Sequence, residues 1–210
     1  MSATLPSGPR LHAGPLPLRP RGSALARALL RLAGWRLDFQ GLPGPQGVIF
    51  VHPHTSNWDF VVGILAKWAL GLELRFWAKD SLFRLPLFGA WLRFLGGVAV
   101  ARDSRRGLVG DTVARLAEAR ARGESFWLAV APEGTRSRVT GWRSGAYHVA
   151  VQAGVPARLA YFDFATRTVG LTRFALLSGD AVADFALIAE AYAGKRGKRP
   201  ELASPVRLKT

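Results

Sequence analysis

The stretch FVHPHTSNWDF (Phe50 to Phe60) sets two histidines close to an aspartate, side chains whose types and spacing can do chemistry. His52 and His54 would share a face of an extended strand and offer two metal ligands, but no His, Asp or Glu cluster supplies a third and fourth. SNWD also fits a helix capping box, with Ser56 as N-cap and Asp59 at N3. A third chemistry needs His54 in the turn ahead of that helix. Residues five apart on a regular helix point about 140° apart, but from the turn His54 can fold back towards the Asp59 carboxylate. The pair then forms the base-and-orienter half of a catalytic triad, in which the carboxylate fixes the tautomer and stabilises imidazolium. No Ser or Cys nucleophile is needed if the substrate brings its own hydroxyl. Alone, a His followed five residues later by an Asp is a weak signal.

A second constellation, APEGTRSR (131–138), directly follows an apolar run. Gly134 allows close backbone approach, and Thr135 and Arg136 are good phosphate ligands. Alternatively this is a polar turn whose Thr135 caps the next helix.

The elements that must position these groups read as alternating strands and helices. Strands are expected at 48–51, 74–78, 98–101, 125–131 and 156–164, with one or two weaker ones after them. Helices are expected over 23–39, 60–72, 86–96, 107–123, 144–154 and near 181–193. The alternation predicts an α/β fold, a single domain with a largely parallel mixed sheet flanked by helices. Ligands of open α/β sheets bind outside the carboxyl ends of parallel strands. His54 and Asp59 follow the first strand, Lys79 the second, Arg102 the third, and Glu133, Thr135 and Arg136 the fourth. Parallel strands would bring all of them to one edge.

Composition narrows the class. The chain has 210 residues, 49% hydrophobic, enough for one domain over 23–194 with a real core. Twenty-nine Lys and Arg against 14 Asp and Glu give +15, a field that recruits nucleic acid, anionic headgroups or phosphorylated substrates. Without cysteine there is no disulfide, thiolate metal site or cysteine nucleophile. No apolar run reaches the 18 or so residues of a membrane span. Residues 1–22 lack an apolar signal core and read as a flexible basic arm, and 195–210 as a basic tail. Within 23–39, Leu25, Leu29, Leu32 and Ala33 fall near one helical face with Arg27 and Arg31, as in a surface helix or one lying on a membrane. Trp58, Trp68, Trp77, Trp91 and Phe88 are expected in the core.

With these motifs in this order, the chain resembles the glycerolipid acyltransferases typified by 1-acylglycerol-3-phosphate acyltransferase. HTSNWD matches the family's His-x4-Asp motif at His54 and Asp59, and GGVAVAR (96–102) its Gly-rich strand ending at Arg102. APEGTRS matches Phe-Pro-Glu-Gly-Thr-Arg-Ser, with Ala131 in place of the aromatic. VPARLA (155–160) stands where the family has Val-Pro-x-x-Pro, with Leu159 for the second proline. Many members carry a hydrophobic N-terminal anchor, which residues 1–22 are not expected to supply.

The resemblance implies fatty acyl transfer from a thioester, acyl-CoA or acyl-carrier protein as co-substrate, to a lysophospholipid hydroxyl. His54 is then the general base and Asp59 its partner. Arg102, Glu133, Gly134, Thr135, Arg136 and Lys79 bind the acceptor's polar head, with Glu133 orienting Arg136 or bonding an acceptor hydroxyl. No metal or cofactor is implied, and Trp58, Trp68, Trp77, Trp91 and Phe88 would, as the alternative to the core, line an acyl tunnel or meet lipid. The expected location is cytoplasmic, peripheral to the inner face of a membrane, on an anionic surface. A thioesterase on the same pair, or acylation of a non-glycerol lipid alcohol, would use similar residues. A nucleic-acid-binding module explains the charge but gives no reason for these motifs to meet.

Overall fold

Runs of β-branched and aromatic residues form the sheet, and their two-residue period divides its faces. The computed structural model describes residues 10–13, 16–18, 20–100 and 105–209. Its eight strands are β1 (Arg10–Ala13), β2 (Arg36–Phe39), β3 (Gln46–Val51), β4 (Leu74–Lys79), β5 (Gly97–Val100), β6 (Phe126–Val130), β7 (Ala157–Asp163) and β8 (Thr168–Leu176). Six helices accompany them: α1 (Ala24–Leu32), α2 (Trp58–Leu70), α3 (Pro86–Phe94), α4 (Arg105–Ala121), α5 (Gly145–Ala153) and α6 (Ala181–Tyr192).

The strand order is β1-β8-β7-β3-β6-β4-β5, with β2 also paired to β8. Strands β7, β3, β6, β4 and β5 run parallel. Strand β8 is antiparallel to β7 and β1 but parallel to β2, which makes the sheet mixed. The predicted α/β class is therefore the observed one.

From β3 to β4 to β5 the chain steps towards one edge, and from β5 to β6 to β7 it steps back. Right-handed crossovers then place α2 and α3 on one face and α4 and α5 on the other. The core agrees. Val48 and Phe50 of β3, Leu128 of β6 and Leu159 of β7 join α4, α5 and α6 in one buried cluster. Their alternates Ile49, Trp127, Ala160 and Phe162 belong to clusters on the opposite face, where Phe162 meets α1 and α2. Among the described residues no helix is long and apolar enough to cross a membrane.

Three expectations need correction. The helix expected over 23–39 ends at Leu32, because Gly34 turns the chain with φ +76° and Arg36–Phe39 pairs with β8 instead. Part of the expected flexible arm is edge strand β1. Residues 195–209 are not a free tail. They run as a strap over the carboxyl edge of the sheet, where Trp142 N–H donates to the Arg207 carbonyl at 2.7 Å and Lys209 N–H to the Trp142 carbonyl at 2.8 Å.

The aromatic residues also depart from expectation. Trp77 is half-buried, but Trp58, Trp68, Phe88 and Trp91 all lie exposed on α2 and α3. Composition reports that a side chain is apolar, not which side of its helix the sheet occupies.

Candidate active site

Strands β3 and β6 are neighbours whose outgoing connections leave for opposite faces, one to α2 and the other to α5. Such a switch point opens a crevice at the carboxyl edge of the sheet. The turn 52–57 and the loop 131–137 both emerge there.

The turn is held from inside by carboxylates. Asp59 is buried on the first turn of α2, and its Oδ2 accepts from the Thr55 and Ser56 amides at 2.7 and 2.8 Å. Ser56 Oγ accepts from Trp58 N–H at 3.2 Å rather than from Asp59, and the N-cap of α2 is Asn57, whose side chain makes no cap bond, so of the expected Ser56 capping box only the carboxylate half is present. His54 Nδ1 lies 3.2 Å from Asp59 Oδ2. That is ion-pair distance, yet the alignment falls short of a hydrogen bond, and both His54 Nδ1 and Asp59 Oδ1 are otherwise without a partner among the described residues. The buried carboxylate is fixed by the two amides and faces the ring. The His54 side chain keeps 17% of its surface open to solvent against none for Asp59.

Glu133 is the group whose placement most changes the sequence reading. It is 2% exposed and faces neither solvent nor Arg136. Its Oε1 accepts from the His54 backbone N–H at 2.8 Å and lies 3.0 Å from His52 Nδ1, while Oε2 accepts from the strap's Ser204 N–H at 3.2 Å. Burial alone would raise the pKa of this carboxyl. The hydrogen bond and charge of His52, then the Ser204 and His54 amides, outweigh burial and hold it below the usual 4.5. Glu133 is therefore an ionised internal clamp, which corrects its expected contact with an acceptor head or with Arg136.

His52 does not pair with His54 as a metal ligand. Its ring sits between Trp142 and Tyr192, at centroid distances of 5.2 and 5.1 Å, and turns Nδ1 to Glu133. Among the described residues no group of three or more His, Asp or Glu is placed to hold a metal.

The remaining predicted residues spread along the same edge. Gly134 adopts φ +68°, and a side chain there would come within 2.6 Å of Arg143 Nε. Thr135 is half-buried and its Oγ1 accepts from Ser137 N–H at 3.2 Å, a local turn bond. Arg136 is exposed and makes no ion pair among the described residues. Lys79 is exposed at the carboxyl end of β4, one strand beyond β6. Arg102 lies outside the described residues. VPARLA opens β7 at the opposite edge, where Ala157 pairs with Val48, so its first residues do not reach the crevice.

Four contributors escaped the sequence reading: His52 as partner of Glu133, Ser204, Arg143 and Arg199, whose N–H donates to Thr55 Oγ1 at 3.2 Å. The one usable signal was that Pro132 and Glu133 directly extend an apolar strand, which favours an inward carboxylate.

A family model described as Acyltransferase matches residues 37–158, more than half of the chain, and the protein belongs to that family. The 1-acyl-sn-glycerol-3-phosphate acyltransferase of Escherichia coli K12 is 31% identical over 111 residues, covering 51% of this chain and 43% of that protein. The chloroplastic 1-acyl-sn-glycerol-3-phosphate acyltransferase BAT2 of Brassica napus is 30% identical over 125 residues, covering 58% of this chain and 36% of its own length. The chain thus spans less than half the length of these relatives. The crystal structure of the 1-acyl-sn-glycerophosphate acyltransferase PlsC from Thermotoga maritima aligns with a TM-score of 0.43 and 22% identity, over 64% of this chain and 53% of that one.

Proposed function

We propose that this protein transfers a fatty acyl group from a thioester, acyl-CoA or acyl-carrier protein, to a free hydroxyl of a lysophospholipid such as 1-acylglycerol-3-phosphate. The observation that carries the reading is the partly open His54 ring, with its backbone clamped by Glu133 and Nδ1 set 3.2 Å from buried Asp59. With Nδ1 facing Asp59, Nε2 is the nitrogen left for a substrate hydroxyl. It takes the hydroxyl proton as that oxygen attacks the thioester carbonyl, and Asp59 stabilises the imidazolium. The tetrahedral intermediate collapses by breaking the C–S bond, and the proton passes from His54 to the leaving thiolate. Products are the new ester and the free thiol. A thioester is activated enough for direct attack without a covalent enzyme intermediate.

Exposed Arg136, with Lys79 and Arg143 along the same edge, suits a phosphate monoester through charge-assisted bonds. The acceptor resides in a bilayer, so the reaction runs at a membrane surface, and the +15 charge favours an anionic one. The test is mass spectrometry of lipids after incubation with acyl-CoA and a lysophospholipid panel. New diacyl lipid formed in step with free thiol is the expected result. Thiol release that ignores added lysolipid would assign the site to hydrolysis. Arg136→Ala is expected to raise the acceptor KM well above any change in the donor KM, and equal effects on both would remove Arg136 from the acceptor site.

A further inference from the structure

Both helical layers bury an apolar side against the sheet, so each should turn a polar side outward. The α1–α3 layer does not. Leu25 and Leu32 on α1, Trp58 and Trp68 on α2, and Leu87 and Phe94 on α3 are all exposed, Leu87 by 90% and Phe94 by 79%. Contact is continuous across it: α1 packs on α2 in a shared core cluster, and the Phe60 ring of α2 lies 5.9 Å from Trp91 of α3. On α4, α5 and α6 the described large apolar side chain left exposed is Val182. Monomeric soluble proteins seldom keep an apolar patch of this extent without a partner.

The charges say which partner. The three helices carry a single acidic residue, Asp59, and it is buried. Arg31 and Arg93 lie exposed among the apolar side chains. At the catalytic end, Lys198 Nζ sits 4.7 Å from the centre of the exposed Trp58 ring. A two-fold contact between copies would press this patch against itself, cation against cation. An anionic surface with an apolar interior satisfies both components at once.

We infer that the α1–α3 layer is a membrane-docking face, lying flat on an anionic bilayer with α3 inserted deepest. It rests on the acyl-transfer reading for its biological occupant. The orientation also explains where the patch begins: Trp58 precedes Asp59 on α2, so docking brings the His54 crevice to the lipid surface from which an acceptor must rise. The bond network of the crevice stays on the protein side, and α4–α6 face water.

The absence of cysteine makes the test direct. Leu87→Cys, Leu32→Cys and Val182→Cys in the full chain each take one environment-sensitive fluorophore. Vesicles of phosphatidylcholine mixed with phosphatidylglycerol should shift the emission of labels at 87 and 32 to the blue and leave that at 182 unchanged. The double variant Leu87→Ser, Phe94→Ser should partition onto the same vesicles roughly tenfold less well or worse. A dehydrated label at 182, or none at 87, overturns the inference. So does a label at 87 that is already shielded without vesicles in a species sedimenting as a dimer, which would assign the face to a second copy. No acyl donor enters these measurements. A chain that docks through 87 and 32 but forms no diacyl lipid refutes the acyl-transfer reading and leaves the docking face standing.

Discussion

Outward from one side of the sheet, α4 presents Asp111, Arg115, Glu118 and Arg120, an ordinary solvated surface. Outward from the other, α3 presents Leu87, Trp91 and Phe94. The inner sides of the two layers obey one rule, since alternating residues of β3, β6 and β7 feed clusters of the same chemical kind on both faces. Fold stability explains the inner sides and says nothing about the outer ones. A difference confined to outward side chains is a difference in what each layer meets, and the crevice between β3 and β6 lies where the layers join.

That separation can be broken at four depths. The largest effect belongs to the junction. His54→Ala should lower acyl transfer about 10² to 10⁴-fold, the range a positioned general base contributes. Thermal unfolding should stay close to wild type, because the ring is partly open; turnover near wild type would end the general-base assignment.

Next comes the interior of the α4–α6 layer. Trp142 is fully buried against Phe50, Phe185 and Tyr192, with its ring also over His52. Trp142→Ala should cost about 3–5 kcal/mol in denaturant titration, the usual range for a large buried aromatic. Activity should fall with it, since the same ring supports His52.

Glu133 belongs to both layers, bonding the turn that enters α2 from the loop that leads to α5. Glu133→Gln leaves a buried N–H facing a donor and should cost about 1–3 kcal/mol. The pH dependence sharpens the point. A carboxyl whose folded pKa lies below 4.5 contributes stability that is fully present above that value. It is lost as pH falls from 4.5 through the lowered folded pKa. The wild type should therefore lose stability over that acid window more steeply than Glu133→Gln. Parallel curves would deny the clamp its charge.

The smallest effect is the most pointed. Leu87→Ser should leave unfolding free energy within about 0.5 kcal/mol of wild type, as surface substitutions do. A loss of several kcal/mol would show that α3 is held by contacts on its outer side and erase the contrast between the layers.

The strands and helices were legible because their periods and bounding turns are strong, and parallel order followed from alternation. The edge strands β1 and β2 were not, being four residues each and stabilised by pairing with the distant β8. At the site, the proximity of His54 and Asp59 could be read because five residues and one turn determine it. Glu133 was read as a ligand because its motif carries arginines; its inward direction depends on His52 and Ser204, the latter 71 residues away. The outward placement of Trp58 and Trp91 was hidden for a similar reason. Periodicity locates a stripe on a helix, but tertiary docking chooses which stripe faces the sheet.

The strap has a consequence in time rather than in space. Thr55 accepts a bond from a residue 144 positions later, and Glu133 from one 71 positions later. At ribosomal rates of about 5–20 residues per second, the turn holding His54 waits roughly 7 to 30 s for the segment that secures it. During synthesis the chain therefore carries His54 with its Glu133 bond but without the strap's Arg199 and Ser204 bonds, which close as late, long-range contacts of the kind that fold slowly. A nascent chain halted near Ala193 would hold both motifs and the bond between them, and still lack the Arg199 and Ser204 amides that brace Thr55 and Glu133. Full bracing of the His54 turn therefore waits on the strap.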